Sequence, residues 1–210
     1  WMGRGTTRHD VVTERLLSEY NATLKGHLYD DGLGAPPGFH FGLAPAIPAP
    51  SQLGPDGAEA KGTFLPPIPF ARRMWAGGRI DTFHPIREHD QILRRSAISA
   101  LDRRDGKAGP FYLVSILHEI EASGALALRE RQDLVFREGG AAARGEPGAE
   151  VPHALSWSVE ASATLLFRFS AFTFNGHRIH YDQSFCREEG YDGLLVHGPL
   201  QAALMPNLLS

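Results

Sequence analysis

Four β-rich runs fall within residues 74–138, and no other feature of the chain limits its fold as strongly. They read GGRIDTFHPI, DQILRRSAISALDRRD, PFYLVSILHEIEASG and ALALRERQDLVFRE, with turn signals between them. Asp105-Gly106 is a hairpin signal, because tight two-stranded turns need the positive φ that Asp-Gly supplies. Residues 111–120 are largely apolar, as in a central strand covered on both faces. Residues 130–137 alternate less strictly, as in a strand with one wet face. Together the runs predict a single antiparallel sheet.

The flanks predict different textures. In residues 10–24, Thr13 is followed by Leu16, Leu17, Tyr20 and Leu24 at helical spacing, which predicts a short amphipathic helix. Residues 32–69 are rich in Gly and Pro, which disfavours long regular elements. Phe39, Phe41, Leu43, Phe64 and Ile68 within them argue for an ordered wrapping segment with one short helix. Residues 139–151, small, polar and rich in breakers, read as a linker. Residues 163–174, ATLLFRFSAFTF, read as a strand with Leu165, Phe167 and Phe169 on one face. Residues 191–210 run from a glycine-containing turn into an apolar helix. Gly198 stands at its start, Pro199 suits its first turn, and Pro206 is expected to kink or end it.

Composition narrows the function classes. The chain has 210 residues, 42% of them hydrophobic, enough for a substantial core. A formal charge of −3 argues against nucleic acid as a partner. No apolar run approaches the ~18 residues of a membrane span, and the polar first residues lack a signal-peptide core. The single cysteine, Cys186, makes no internal disulfide and matches no zinc-ligand spacing. It reads as a small semi-buried residue in a reducing compartment.

Chemistry concentrates in FTFNGHRIHYD, residues 172–182. His177, His180 and Asp182 have the donor types of a zinc site, but H-x-x-H without a third strong ligand specifies little. A base is the second reading, since imidazole moves protons near neutral pH. Asn175 would then fix a water or orient a substrate oxygen, although it cannot ionise. Downstream, VHGPL places Gly198 at a helix N-terminus, whose free N–H groups would meet a developing oxyanion. That pairing suits chemistry at a thioester carbonyl. A satisfied polar loop beside a core helix is the bland alternative.

Residues 173–182 together with 190–201 (GYDGLLVHGPLQ) resemble the hydratase motif of MaoC-like hot-dog enzymes, Asp-x-Asn-Pro-Ile-His-x-Asp followed by Gly-x-x-x-His-Gly. MGRGTTRHDVVTERLL, RRMWAGG, SILHEIEASGALALRERQDLVFRE and FRFSAFTFNGHRIHYD are similar to a subgroup of mesaconyl-CoA hydratases and mitochondrial-type hydroxyacyl-thioester dehydratases. The resemblance implies an α+β double hot-dog. A first unit would span 1–138, a linker 139–151, and a second unit, incomplete at the C-terminus, 152–210. It implies reversible addition of water across the α,β double bond of an acyl thioester. A dicarboxylic enoyl-CoA, such as mesaconyl- or itaconyl-CoA, or a 3-hydroxyacyl thioester is the expected substrate. By position His180 is the catalytic histidine, Asn175 stands where the wider family has aspartate, and Gly198 is the oxyanion glycine. His177 and Arg178 replace Asn-Pro, making His177 a second candidate base and Arg178 a candidate partner for a substrate carboxylate. No metal or redox cofactor is implied, coenzyme A being part of the substrate. The expected partner is an acyl-CoA or acyl-carrier thioester, with a homodimer as the assembly and the cytoplasm, or a mitochondrial matrix, as the compartment. A hot-dog thioesterase and a non-catalytic acyl-CoA-binding relative remain as alternatives.

Among the other residues, Arg72, Arg73 and Trp75 offer two cations and an indole for the coenzyme A nucleotide, against a core role for the indole and structural roles for the arginines. His118 lies in a strand-like run and reads as a satisfied sheet residue. His40 stays outside the site.

Overall fold

The computed structural model describes residues 1–106, 109–138 and 155–209. The four β-rich runs form strands β2 (Arg72–Thr82), β3 (Gln91–Gly106), β4 (Gly109–Ala122) and β5 (Ala125–Arg137), joined by an N-terminal strand β1 (Gly5–Val11). All pairs are antiparallel, in the order β1-β3-β4-β5-β2. The apolar run is the middle strand, with Val114 and Ile120 fully buried. β3 and β4 form the expected hairpin, but Asp105 and Gly106 are not its turn: they are ladder residues, paired with Pro110 and Gly109. In β2 the register shifts between Trp75 and Gly77, a bulge in a strand otherwise paired along its length.

The predicted N-terminal helix is α1 (Glu14–Thr23). Thr13 caps it by accepting a hydrogen bond from Leu16 N at 3.2 Å. Tyr20, on its buried side, donates from its hydroxyl to Pro37 O at 2.7 Å. The Gly/Pro-rich segment is ordered and holds two short 3₁₀ turns, Phe39–Gly42 and Pro50–Gln52, where one short helix was expected. Its Phe39, Phe41 and Leu43 are buried. Gly42 lies against the Phe172 ring so closely that a Cβ would overlap it.

One expectation is corrected and one is narrowed. Residues 163–172 form a helix, α2 (Ala163–Phe172), not a strand. The alternation of Leu165, Phe167 and Phe169 mimics period two, but Phe167 is 64% exposed while Leu166, Phe169 and Ser170 are buried at helical spacing. Ser162 caps this helix, accepting from Leu165 N at 3.2 Å. After a short α3 (Gln183–Glu188), the last helix α4 (Gly198–Leu209) runs through Pro206 instead of ending there. Asn207 steadies that turn: its Nδ2 donates to Ala203 O at 2.7 Å and to Pro37 O at 2.8 Å. Its Oδ1 accepts from Tyr29 N at 2.8 Å. Side-chain bonds thus hold a turn in which proline removes a backbone donor.

Buried residues of α1, the wrapping segment, α2 and α4 pack with Ile92, Ile120 and Leu128 of the sheet in one cluster. A second cluster holds Leu65, Ile68, Ile98, Val114, Ile116 and Phe136. Each such side chain contributes about 1.5–3 kcal/mol on burial, so the helices are held to the sheet chiefly by this contact. No helix among the described residues is long and apolar enough to cross a membrane. Residues 139–151 lie outside the described residues.

Candidate active site

The end of α2 aims the motif. Phe174 has a positive φ of 51°. Its N–H donates to Ala171 O at 3.2 Å, and Asn175 N donates to Ser170 O at 2.8 Å. These are the two bonds of a Schellman helix stop, here with phenylalanine where glycine is usual. The chain reverses at that point, and Asn175 Oδ1 accepts from His177 N at 3.0 Å. A 3₁₀ turn over Arg178–His180 then carries His180 into the interior. Asp182 caps α3, accepting from Ser184 N and Phe185 N, and so is committed to structure.

His180 Nδ1 lies 2.8 Å from Leu195 O. A carbonyl only accepts, so Nδ1 carries the proton and Nε2 holds the free lone pair. The His197 ring stacks on His180, with centroids 3.6 Å apart and 19° between planes. His197 Nε2 in turn lies 2.8 Å from Ser170 Oγ. His177 meets His180 edge-on, at 5.6 Å and 90°. Burial lowers the pKa of His180, against the Leu195 hydrogen bond. Burial, followed by the charges of His180 and His177, takes His197 down to about 3. Burial and Arg73 lower His177 to about 4, opposed by Asp56. All three imidazoles are therefore neutral at pH 7.

Asp56 had no signal in the sequence beyond a turn in LGPDG. Its carbonyl accepts from Arg178 N at 2.8 Å, which docks residues 54–58 against the motif. Its Oδ2 stands 3.6 Å from His177 Nε2 and 3.4 Å from Arg73 Nη2. A carboxylate thus reaches the loop where Asn175 supplies none. His197 was also passed over, although it stands beside Gly198 in the VHGPL segment.

Asn175, His177, His180 and Gly198 line one cavity of about 1040 Å³, together with Arg73 and Trp75. Gly198 is the first residue of α4, where helix amides have no intrahelical acceptor. The Trp75 indole packs on it, so a Cβ at Gly198 would lie 2.9 Å from Trp75 Cδ2. Two predicted site residues are not on this cavity wall. Arg72 bonds Glu189 O, pairs with the Glu189 carboxylate at 3.4 Å and stacks on Tyr191. Arg178 binds Asp182 Oδ2 at 2.8 Å and Pro55 O at 3.2 Å, and lies over Phe185. Both guanidinium groups are occupied in bracing loops.

The match to known proteins spans these residues. A model of hydroxyacyl-thioester dehydratases type 2 matches residues 38–210. The chain belongs to the hydroxyacyl-thioester dehydratase type 2 family. It is 43% identical, over 178 residues, to a mesaconyl-C(4)-CoA hydratase of Chloroflexus aurantiacus; the match covers 82% of this chain and 63% of that one. The chain therefore spans less than two thirds of that relative's length. It is 23% identical, over 235 residues, to a mitochondrial hydroxyacyl-thioester dehydratase type 2 of Schizosaccharomyces pombe, covering 93% of this chain and 76% of that one. Among solved structures, a MaoC-like dehydratase superposes with a TM-score of 0.69 at 12% identity, covering 100% of this chain and 77% of its own. That likeness shows the fold, a MaoC-like hot-dog. In this family member the helix α4, led by Gly198, and the loop bearing His180 meet across one cavity.

Proposed function

We propose that the chain adds water reversibly across the α,β double bond of an enoyl thioester. The observation that carries this is His180: its Nδ1 is committed to Leu195 O, and its basic Nε2 belongs to a residue that shares a cavity with Asn175 and the amide end of α4. Water adds through its oxygen to the β-carbon and gives a proton to His180 Nε2. The Gly198 N–H supports the negative charge that develops on the thioester oxygen. The α-carbon then takes a proton back from the imidazolium, so charge and atoms balance. Asn175 holds the water with its amide group. His177, with Asp56 behind it, orients the same water and stays neutral. Arg73 and Trp75 bound the thioester end of the cavity.

The C. aurantiacus relative is named as a hydratase of a CoA thioester, which supports the same reaction class and a CoA thioester as substrate. We assign residues 1–138 to one hot-dog unit and 152–210 to part of a second, with 139–151 as the connection. A homodimer is the assembly that fits this reading. Crotonyl-CoA or mesaconyl-C(4)-CoA incubated with the purified chain tests it. Loss of enoyl absorbance without free thiol is expected. Thiol release with the enoyl absorbance intact would overturn the reading in favour of a thioesterase.

A further inference from the structure

The face of the sheet turned towards the helices carries a polar band where an apolar one would pack better. Ser96, His118 and Glu130 are direct neighbours across β3, β4 and β5. Arg94 and Gln132 lie two residues away on their own strands, and so on the same face. Apolar rungs flank the band on both sides. Ile120 and Leu128 belong to the larger core cluster, Ile98 and Ile116 to the smaller, so the band divides the core in two.

These polar groups are deeply buried and only partly satisfied. Arg94 is 9% exposed and His118 6%. Arg94 Nη1 donates to Leu43 O at 3.1 Å, but its Nε has no partner. His118 Nδ1 meets Ser96 Oγ at 2.7 Å, and its Nε2 has none. Burial and Arg94 lower the His118 pKa to about 3, opposed first by the Glu130 carboxylate and then by Gln132. Glu130 Oε1 accepts from Gln132 Nε2 at 2.7 Å; its Oε2 stands 3.5 Å from His40 Nε2 without a hydrogen bond, and its charge also faces Arg94 and His118. A half-satisfied buried network costs more than the apolar core it displaces, unless something completes it.

Arg94, Ser96, His118 and Gln132 line the same cavity as His180, whereas Glu130 does not. The wall here therefore presents a cation, and an imidazole that donates from Nε2 when the Ser96 hydroxyl donates to Nδ1. Arg8 adds a second cation to this wall. We propose that Arg94 and His118 form the anion subsite that holds a carboxylate on the acyl group, and so are the residues that favour a dicarboxylic monothioester over a monocarboxylic one. This rests on the hydratase reading above and moves carboxylate recognition from Arg178, which is occupied, to the sheet. A carboxylate accepting from Arg94 and from His118 Nε2 would complete the network, and its chemistry is the one that bidentate and charge-assisted donors recognise.

Paired substrates test it. Mesaconyl-C(4)-CoA carries the carboxylate, and crotonyl-CoA lacks it. In Arg94→Met, kcat/KM for the first should fall roughly 100-fold, the usual scale for removing one partner of a buried charge pair. For crotonyl-CoA it should change by less than about 3-fold, with Arg94→Lys recovering part of the loss. Equal losses on both substrates, or no loss on either, overturn the subsite. The unaltered protein gives a second measurement that does not depend on the variant folding. By calorimetry, succinyl-CoA should bind at least about tenfold more tightly than butyryl-CoA, and equal affinities overturn the proposal. If the protein hydrates neither enoyl thioester, the hydratase reading fails, while the calorimetric ratio still decides the subsite.

Discussion

The imidazole of His197 lies flat on that of His180, centroids 3.6 Å apart, and its far side is tied to Ser170 on α2. The proposed base is thereby backed on one face by a ring that α2 and the residue before α4 hold in place. His180→Ala should lower kcat/KM by about 10²–10⁴-fold, the usual contribution of a positioned base. Binding of a saturated thioester, read by calorimetry, should be nearly unchanged.

Stability should fall on mild acidification. His197, His118 and His177 are held neutral in the fold, with pKa values of about 3, 3 and 4, all below the ordinary value of 6.5. Below about pH 6.5 the unfolded chain takes up protons that the native state refuses. Each group then removes up to about 1.4 kcal/mol per pH unit until its folded pKa is reached. Urea unfolding at pH 7.5, 6 and 5 should show this loss above the range where Glu130 protonates. There burial is outweighed by His40, His118 and Arg94, which hold the carboxyl at about 2. His118→Gln should flatten the slope.

Asp56→Asn separates positioning from folding. The amide keeps the shape but removes the charge that supports His177, leaving Arg73 unopposed, so the His177 pKa drops further. We expect kcat/KM to fall by roughly tenfold or more, with the acid limb of the pH–rate profile moved downwards. An unchanged profile would make Asp56 a purely structural dock.

Gly198→Ala should be destabilised by about 1–3 kcal/mol, because its Cβ enters space filled by the Trp75 indole. Trp75→Leu in the same chain should restore the melting temperature. If Gly198→Ala folds as well as the parent, the contact at α4 is looser than described.

Phe174 offers a backbone test. It sits at φ 51° and is 56% exposed, so its side chain adds little burial. Phe174→Val should lose about 1–2 kcal/mol, since a β-branched residue fits that conformation poorly. Phe174→Gly should be neutral or slightly stabilising, as relief of strain offsets the greater freedom of the unfolded chain.

Much of this was legible in the residues. The β-rich runs predicted the sheet, with the β3–β4 hairpin beside Asp105-Gly106 though not turning on it, Thr13 announced α1, and Gly198-Pro199 announced α4. What escaped has physical reasons. The aromatic spacing of residues 165–169 fits two periods, and only the buried Leu166 and Ser170 decide for a helix. Asp56 reaches the site through a backbone contact across more than a hundred residues, which leaves no periodic trace. Arg94 and Ser96 share a face with Ile92 and Ile98, so period two turns them inwards, but no residue pattern marks the cavity they line.

Asn207 ties the last turns of α4 to Pro37 and Tyr29, far away in the chain. Peeling either partner away strips the other of its bonds, so the two should open together as one cooperative unit in native-state hydrogen exchange. A lesion at the tail of this helix would then loosen the segment beside α1 as much as the helix itself.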